Sequence, residues 1–166
     1  RIDAELAERR LVPIDLTAAE VAHYYDGFSN GAVWPLFHYS LDKVRLEARE
    51  DWVTYQHVNQ RFAEAIAARV QPGDLVWIHD YHLMLVPEYL RRLVPGARIG
   101  FFLHIPFPAA DVFRILPWRE EVLRGLMGAD LLGFHTGEYL TNFARSAAQV
   151  LATDLDVDVI RWADHS

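Results

Sequence analysis

The chain has 166 residues, 52% hydrophobic and 23% charged, with a formal net charge of −7 and no cysteine. That length and balance suit one domain with a buried core and exclude a disordered chain. The acidic charge, with Lys and Arg scattered along the chain, argues against a nucleic-acid or anionic-membrane partner, because phosphate backbones demand a clustered basic face. Without cysteine there is no disulfide and no thiolate metal site. No apolar run reaches membrane-spanning length and no signal peptide is visible, so a cytoplasmic location is expected.

In chain order, Asp3 to Arg10 (DAELAERR) reads as a helix. Leu11 to Leu16 reads as a short strand that Pro13 demotes to an edge or end position. Thr17, with Glu20 three residues on, makes a capping box for a helix into the Tyr24 region. Asp51 could cap the next helix, in which Trp52, Tyr55, Val58 or Asn59, Phe62 and Ile66 recur every three or four residues until Pro72-Gly73. Asp74 to His79 is then expected as a buried strand, followed by a helix whose apolar residues include Leu83, Val86, Leu90 and Leu93.

After Pro95-Gly96, Arg98 to Leu103 is the next strand. HIPFP (His104 to Pro108) is a loop, and Asp111 to Leu126 reads as two short helices broken at Pro117. Ala129 to Phe134 is another strand. Thr136 caps a helix with Tyr139, Leu140, Phe143, Ala147 and Val150 on its apolar face, and Val157 to Trp162 is a last strand candidate. Repeated β–α units of this kind predict an α/β fold, a Rossmann-like parallel sheet flanked by helices with right-handed crossovers. The chain starts at Arg1 within a helical pattern and stops just past an apolar run, so a piece of a larger protein is expected.

In an open α/β sheet, ligands bind beyond the carboxyl ends of the strands. Asp80, His104 and His135 each follow a strand candidate and would share one rim. The tetrapeptide His79-Asp80-Tyr81-His82 admits a metal reading, but its ligand spacing does not assure convergence and no further pair of recognisable spacing exists, so no metal is expected. Asp80 could instead accept hydrogen bonds from substrate hydroxyls or a catalytic proton, or merely cap the following helix. His104 precedes a loop stiffened by two prolines, which aims its side chain; the plain alternative is a satisfied polar group beside the core. His23, His38, His57 and His165 lie in helical or terminal contexts and receive no role. The pairs Arg9-Arg10 and Arg91-Arg92 read as solvated surface. From Tyr24 to Tyr39 the chain is dense in rings, yet Gly27, Asn30 and Gly31 make it a poor plain helix. It is either an irregular core helix or a partly unwound segment presenting Tyr25 and Trp34, each with an apolar face and one polar donor.

YYDGFSNGAVWPLFHY, WIHDYH, GFFLHIPFP and RILPWREEVLRGLMGADLLGFHT, in that order, resemble the N-terminal half of trehalose-6-phosphate synthases from about Leu11 to about Ala148. The resemblance implies a retaining, metal-independent glycosyltransferase of the two-domain GT-B fold, needing no cofactor. Such enzymes transfer glucose from a nucleotide sugar, usually UDP-glucose, to glucose 6-phosphate. It implies that residues 1–166 are part of the N-terminal, acceptor-side domain, without the glycine-rich loop and without the nucleotide-sugar domain. By the same resemblance, Tyr25 and Trp34 close around the acceptor phosphate and Asp80 binds acceptor hydroxyls. His104 lies beside the donor glucose, and His135 falls where the family carries Gln or His near the cleft. His104 and Asp80 are the expected catalytic pair. A nucleotide sugar and a sugar phosphate are the expected partners, and a homo-oligomer of the full-length protein is left open. Two alternatives remain: a sister transferase using glycerol 3-phosphate or a pseudo-sugar phosphate, and a non-catalytic sugar-phosphate sensor. The 166 residues alone are expected to be inactive.

Overall fold

In the computed structural model, which describes residues 6, 8–47 and 49–152, three strands pair in parallel in the spatial order β1–β2–β3. They are β1 (Leu75–His79), β2 (Arg98–Phe102) and β3 (Leu131–Gly133). The register puts Trp77 opposite Gly100 and His79 opposite Phe102, with Gly100 in turn opposite Leu131. The α/β class expected from the alternating pattern is the one the chain adopts.

Leu6 and Glu8 are helical, and the helices that follow among the described residues are, in chain order, α1 (Ala18–Glu20), a 13-residue π-helix (Val21–Val33), α2 (Trp34–Phe37), α3 (Arg49–Ala67), α4 (Val86–Leu93), α5 (Ala110–Phe113), α6 (Arg119–Leu126) and α7 (Gly137–Leu151). Single 3-10 turns lie at Leu41–Lys43 and Tyr81–Leu83. The capping box forms as expected: Thr17 Oγ1 accepts from the Glu20 amide and Glu20 accepts from the Thr17 amide. Thr136 accepts from the Tyr139 amide at the start of α7. Pro117 separates α5 from α6, where a ring without an N–H cannot continue a helix.

Ile78, Ile99, Phe101 and Leu103 point from the sheet into one core with Tyr55, Leu90, Val122, Leu123 and Phe143. Burying side chains of this size contributes about 1.5–3 kcal/mol each. The opposite sheet face is open among the described residues, and Leu75, Trp77 and Leu131 are 60%, 44% and 49% exposed on it. β1 is therefore not the buried strand expected from its apolar run; it lies at the sheet edge, and only Ile78 is buried.

Four further expectations give way. Residues 11–16 are extended but pair with no strand, since Pro13 offers no ladder donor; the segment is instead held where Arg61 donates to the Asp15 carbonyl. Asp51 does not cap α3, which already runs from Arg49; it sits in the first turn, 2.7 Å from Nδ1 of His23. Leu93 ends α4 exposed. Arg91 is no idle surface charge, because its guanidinium donates to the carbonyls of Pro95, Ala97 and Gly128 and to Asp130, whose other oxygen accepts from the Ile99 amide. That amide, then Arg91, holds the Asp130 carboxyl below the usual range. The strand candidate Val157 to Trp162 lies outside the described residues.

Candidate active site at the carboxyl rim of the sheet

β1 ends at His79, and the chain turns sharply at Asp80, with φ 73° and ψ 168°. Such a conformation belongs almost only to glycine and costs a residue with a Cβ about 1–3 kcal/mol. The surroundings hold it there. The Asp80 amide donates to the Phe102 carbonyl at 2.9 Å, and Asp80 Oδ1 accepts from the amides of Tyr81 (3.0 Å) and His104 (3.1 Å). One carboxylate oxygen thus ties the end of β1 to the chain leaving β2. No protein donor reaches Oδ2 among the described residues, which leaves an acceptor facing outward from a half-buried carboxylate. The capping reading and the ligand reading of Asp80 are compatible, because the two oxygens divide the tasks.

The turn beyond Asp80 is fastened from α3. Tyr55 donates to the Tyr81 carbonyl at 2.7 Å and accepts from the Met84 amide, and Asn59 donates to the His82 carbonyl at 3.0 Å and accepts from the Leu85 amide. Both side chains are fully buried, and their bonds satisfy backbone groups that the tight turn would otherwise strand.

His104 leaves β2 exposed, with its Nε2 2.9 Å from His79 Nδ1 and the two rings stacked 5.2 Å apart. On its other side the His135 ring stands edge-on at 5.7 Å. The three imidazoles run across the ends of the three strands. The HIPFP loop is anchored at several points: Ile105 and Phe107 insert into the core, Asn142 donates to the Phe107 carbonyl, and Tyr39 Oη accepts from the Ala109 amide.

The His79–His82 tetrapeptide does not converge. His79 turns to His104, while His82 turns under the π-helix and stacks on Tyr25 at 5.3 Å with the rings 9° from parallel. Burial pushes the His82 pKa below its ordinary value and keeps that ring neutral, and its Nε2 is buried without a partner among the described residues. Among the described residues no three His, Asp or Glu side chains are placed so that they could hold one metal ion.

The segment expected to be irregular is a π-helix. Its wider turn is matched by two glycines: a Cβ on Gly27 would run into the Asp51 carboxylate, and one on Gly31 into the Arg45 guanidinium. Arg45 donates to the carbonyls of Asp26 and Gly31 and so clamps the wide turns from outside. The pitch matters for the two candidate rings. Nine residues make about two and a half turns of an α-helix, which would set Tyr25 and Trp34 on opposite sides. An i→i+5 helix takes a little over four residues per turn, so nine residues make about two turns and both rings share a side. Both are exposed, 46% and 42%.

Of the five predicted site residues, Asp80, His104 and His135 meet on the rim, and Tyr25 stacks on His82, two residues beyond Asp80. Trp34 makes no contact with the rim; it stacks on His38 at 4.0 Å, whose Nδ1 lies 2.7 Å from the Trp34 carbonyl. Sequence reasoning gave no role to His79, His82 or His38, whose rings meet His104, Tyr25 and Trp34, or to Tyr39, which holds the loop after His104.

A model of glycosyltransferase family 20 matches residues 1–164. The chain belongs to that family. A trehalose-6-phosphate synthase of Mycolicibacterium gilvum is 51% identical over 141 residues, 85% of this chain and 28% of that protein. A UDP-forming alpha,alpha-trehalose-phosphate synthase of Burkholderia xenovorans, solved with glucose-6-phosphate, superposes with a TM-score of 0.78 at 38% identity, covering 84% of this chain and 30% of that one. An E. coli trehalose-6-phosphate structure bound with UDP-2-fluoro glucose gives 0.78 at 40% identity, over 81% and 30%. The chain spans 20–29% of the curated relatives it matches. Among the described residues no helix is long and apolar enough to cross a membrane.

Proposed function

We propose that residues 1–166 form the acceptor-side part of the N-terminal domain of a retaining trehalose-6-phosphate synthase in the cytoplasm. The intact protein transfers glucose from UDP-glucose to glucose 6-phosphate, without a metal or cofactor. One observation carries this reading: Asp80 is forced into a glycine-like turn at the sheet's carboxyl edge, with one oxygen spent on the backbone and the other facing out beside His104. A purely structural cap would not need that geometry.

In this reading Oδ2 of Asp80 accepts from hydroxyls of the acceptor sugar, while Tyr25 and Trp34 hold its phosphate. His104, fixed by His79 and the anchored loop, hydrogen-bonds the donor glucose, with His135 lining the same edge. The acceptor hydroxyl approaches the face from which the diphosphate leaves. The bond from the anomeric carbon to the diphosphate oxygen breaks, the bond to the acceptor oxygen forms, and the departing diphosphate takes the acceptor proton, so configuration is retained without a protein base. These 166 residues alone do not turn over, because leaving-group stabilisation resides outside them.

The test is to incubate the intact protein with UDP-glucose and glucose 6-phosphate and read the product's linkage by proton NMR. An α,α-linked disaccharide phosphate and UDP in equal amounts are expected. Transfer only to glycerol 3-phosphate or a pseudo-sugar phosphate, or binding without transfer, would overturn the reading in favour of a sister transferase or a sensor.

A further inference from the structure

Between Tyr25 and Trp34 the π-helix carries Asn30, five residues after the first ring and four before the second. In a helix of slightly more than four residues per turn it lies about one turn from each, on the side they share. Asn30 is half-buried, and its Oδ1 accepts from the Tyr81 hydroxyl at 2.8 Å, 51 residues away in sequence. Tyr81 is buried and its ring packs against His82, tilted, with the ring centres 4.0 Å apart, so the hydroxyl has little freedom to move. A carboxamide offers two N–H donors as well as its oxygen. With the oxygen engaged by Tyr81, the amide nitrogen has no partner among the described residues.

We propose that Asn30 is a further ligand of the phosphorylated sugar, its side-chain amide oriented by Tyr81 and donating to the acceptor between Tyr25 and Trp34. This rests on the acceptor-side reading above and adds to it a neutral donor that neither ring can replace. The surroundings favour that role. Burial pushes the Tyr81 hydroxyl up to about 12, with the Asp80 carboxylate and then the Tyr25 hydroxyl adding to the shift, so the three groups and Asn30 lie close together. Tyr81 therefore stays a neutral donor at physiological pH and keeps the amide nitrogen, not the oxygen, turned outward. The arrangement links the helix stripe to the strand rim through one hydrogen bond.

The experiment titrates the intact protein and its Asn30→Asp, Asn30→Ala and Tyr81→Phe variants with glucose 6-phosphate by calorimetry, alongside KM for each substrate. Asn30→Asp keeps an oxygen for Tyr81 but replaces the donor with a charge that repels phosphate. Losing a hydrogen bond to a charged group weakens binding roughly ten- to a hundred-fold, and Asn30→Asp should do at least as much. Asn30→Ala should approach it, while Tyr81→Phe should weaken binding only several-fold. The KM for the nucleotide sugar should not move. If Asn30 merely anchors Tyr81, Asn30→Asp will bind like wild type and Tyr81→Phe will match Asn30→Ala, which overturns the proposal. Should wild type itself fail to bind glucose 6-phosphate, the acceptor-side reading falls instead. Melting curves of all variants exclude misfolding, and Asn30→Ala, the smaller change, decides if Asn30→Asp does not fold.

Discussion

At the strand ends, Asp80 and His104 are fixed by backbone amides and by the register of a parallel sheet, whereas Tyr25 and Trp34 are fixed by ring stacking on His82 and His38. The rim takes its geometry from hydrogen bonds that leave little tolerance in distance. The stripe takes its geometry from helix pitch, and stacked rings can slide with little loss. On the function proposed above, the groups beside the reacting atoms sit where the fold is stiff, and those around the phosphate sit where it can adjust.

The rim is where substitution should do most. Asp80→Ala keeps the strained backbone while removing the acceptor for two amides, so it should cost about 2 kcal/mol of stability and nearly all activity. Asp80→Asn keeps one oxygen for those amides and should preserve the melting temperature while losing activity. If both variants melt like wild type, the rim is not held by the carboxylate and the contrast between the two regions fails.

On the stripe, Trp34→Ala and Tyr25→Phe should raise KM for the sugar phosphate roughly ten- to a hundred-fold, by loss of a hydrogen bond to a charged group. Stability should change little, because both rings are exposed. Steady-state kinetics with each substrate varied in turn checks this. A defect confined to the nucleotide sugar would move these residues to the other side of the cleft.

The smallest effect concerns pH and separates the two ends of the stripe's support. His82 has a folded pKa below its ordinary 6.5 because it is buried, so the unfolded chain binds the proton more readily. Its contribution is present above 6.5 and is lost as pH falls through the lower folded value. His23, raised by its hydrogen bond to Asp51, behaves in the opposite way: its contribution is full below 6.5 and is lost as pH rises through the higher folded value. Melting temperatures from pH 5 to 8 should therefore lose their acid-side fall in His82→Phe and their alkaline-side fall in His23→Gln. Identical pH profiles in both variants would show that neither ring titrates as its surroundings suggest.

The strand rim was legible because each polar residue follows an apolar run and a parallel sheet brings consecutive strand ends together, so Asp80, His104 and His135 could be placed without contacts. The caps at Thr17 and Thr136 and the break at Pro117 are equally local. The open sheet face was not legible, since Leu75, Trp77 and Leu131 read the same whether or not a layer covers them. Nor was the π-helix: the glycines signalled irregularity, but its pitch depends on Arg45 and Asp51 packing against them. The supports given by Tyr55, Asn59, Tyr81 and His82 span 23 to 58 residues and leave no periodic trace.

The backbone at Asp80 has a consequence for anyone trying to make this protein more robust. Asp80→Gly would relieve about 1–3 kcal/mol of conformational strain and sacrifice two modest hydrogen bonds, leaving the folded state close to balance or improved. Selection for thermal endurance alone would thus accept a residue with no carboxylate at the position where the proposed site uses one. A heat-selected library screened without a turnover assay should accumulate glycine at 80, and on the proposed function those survivors should be inactive.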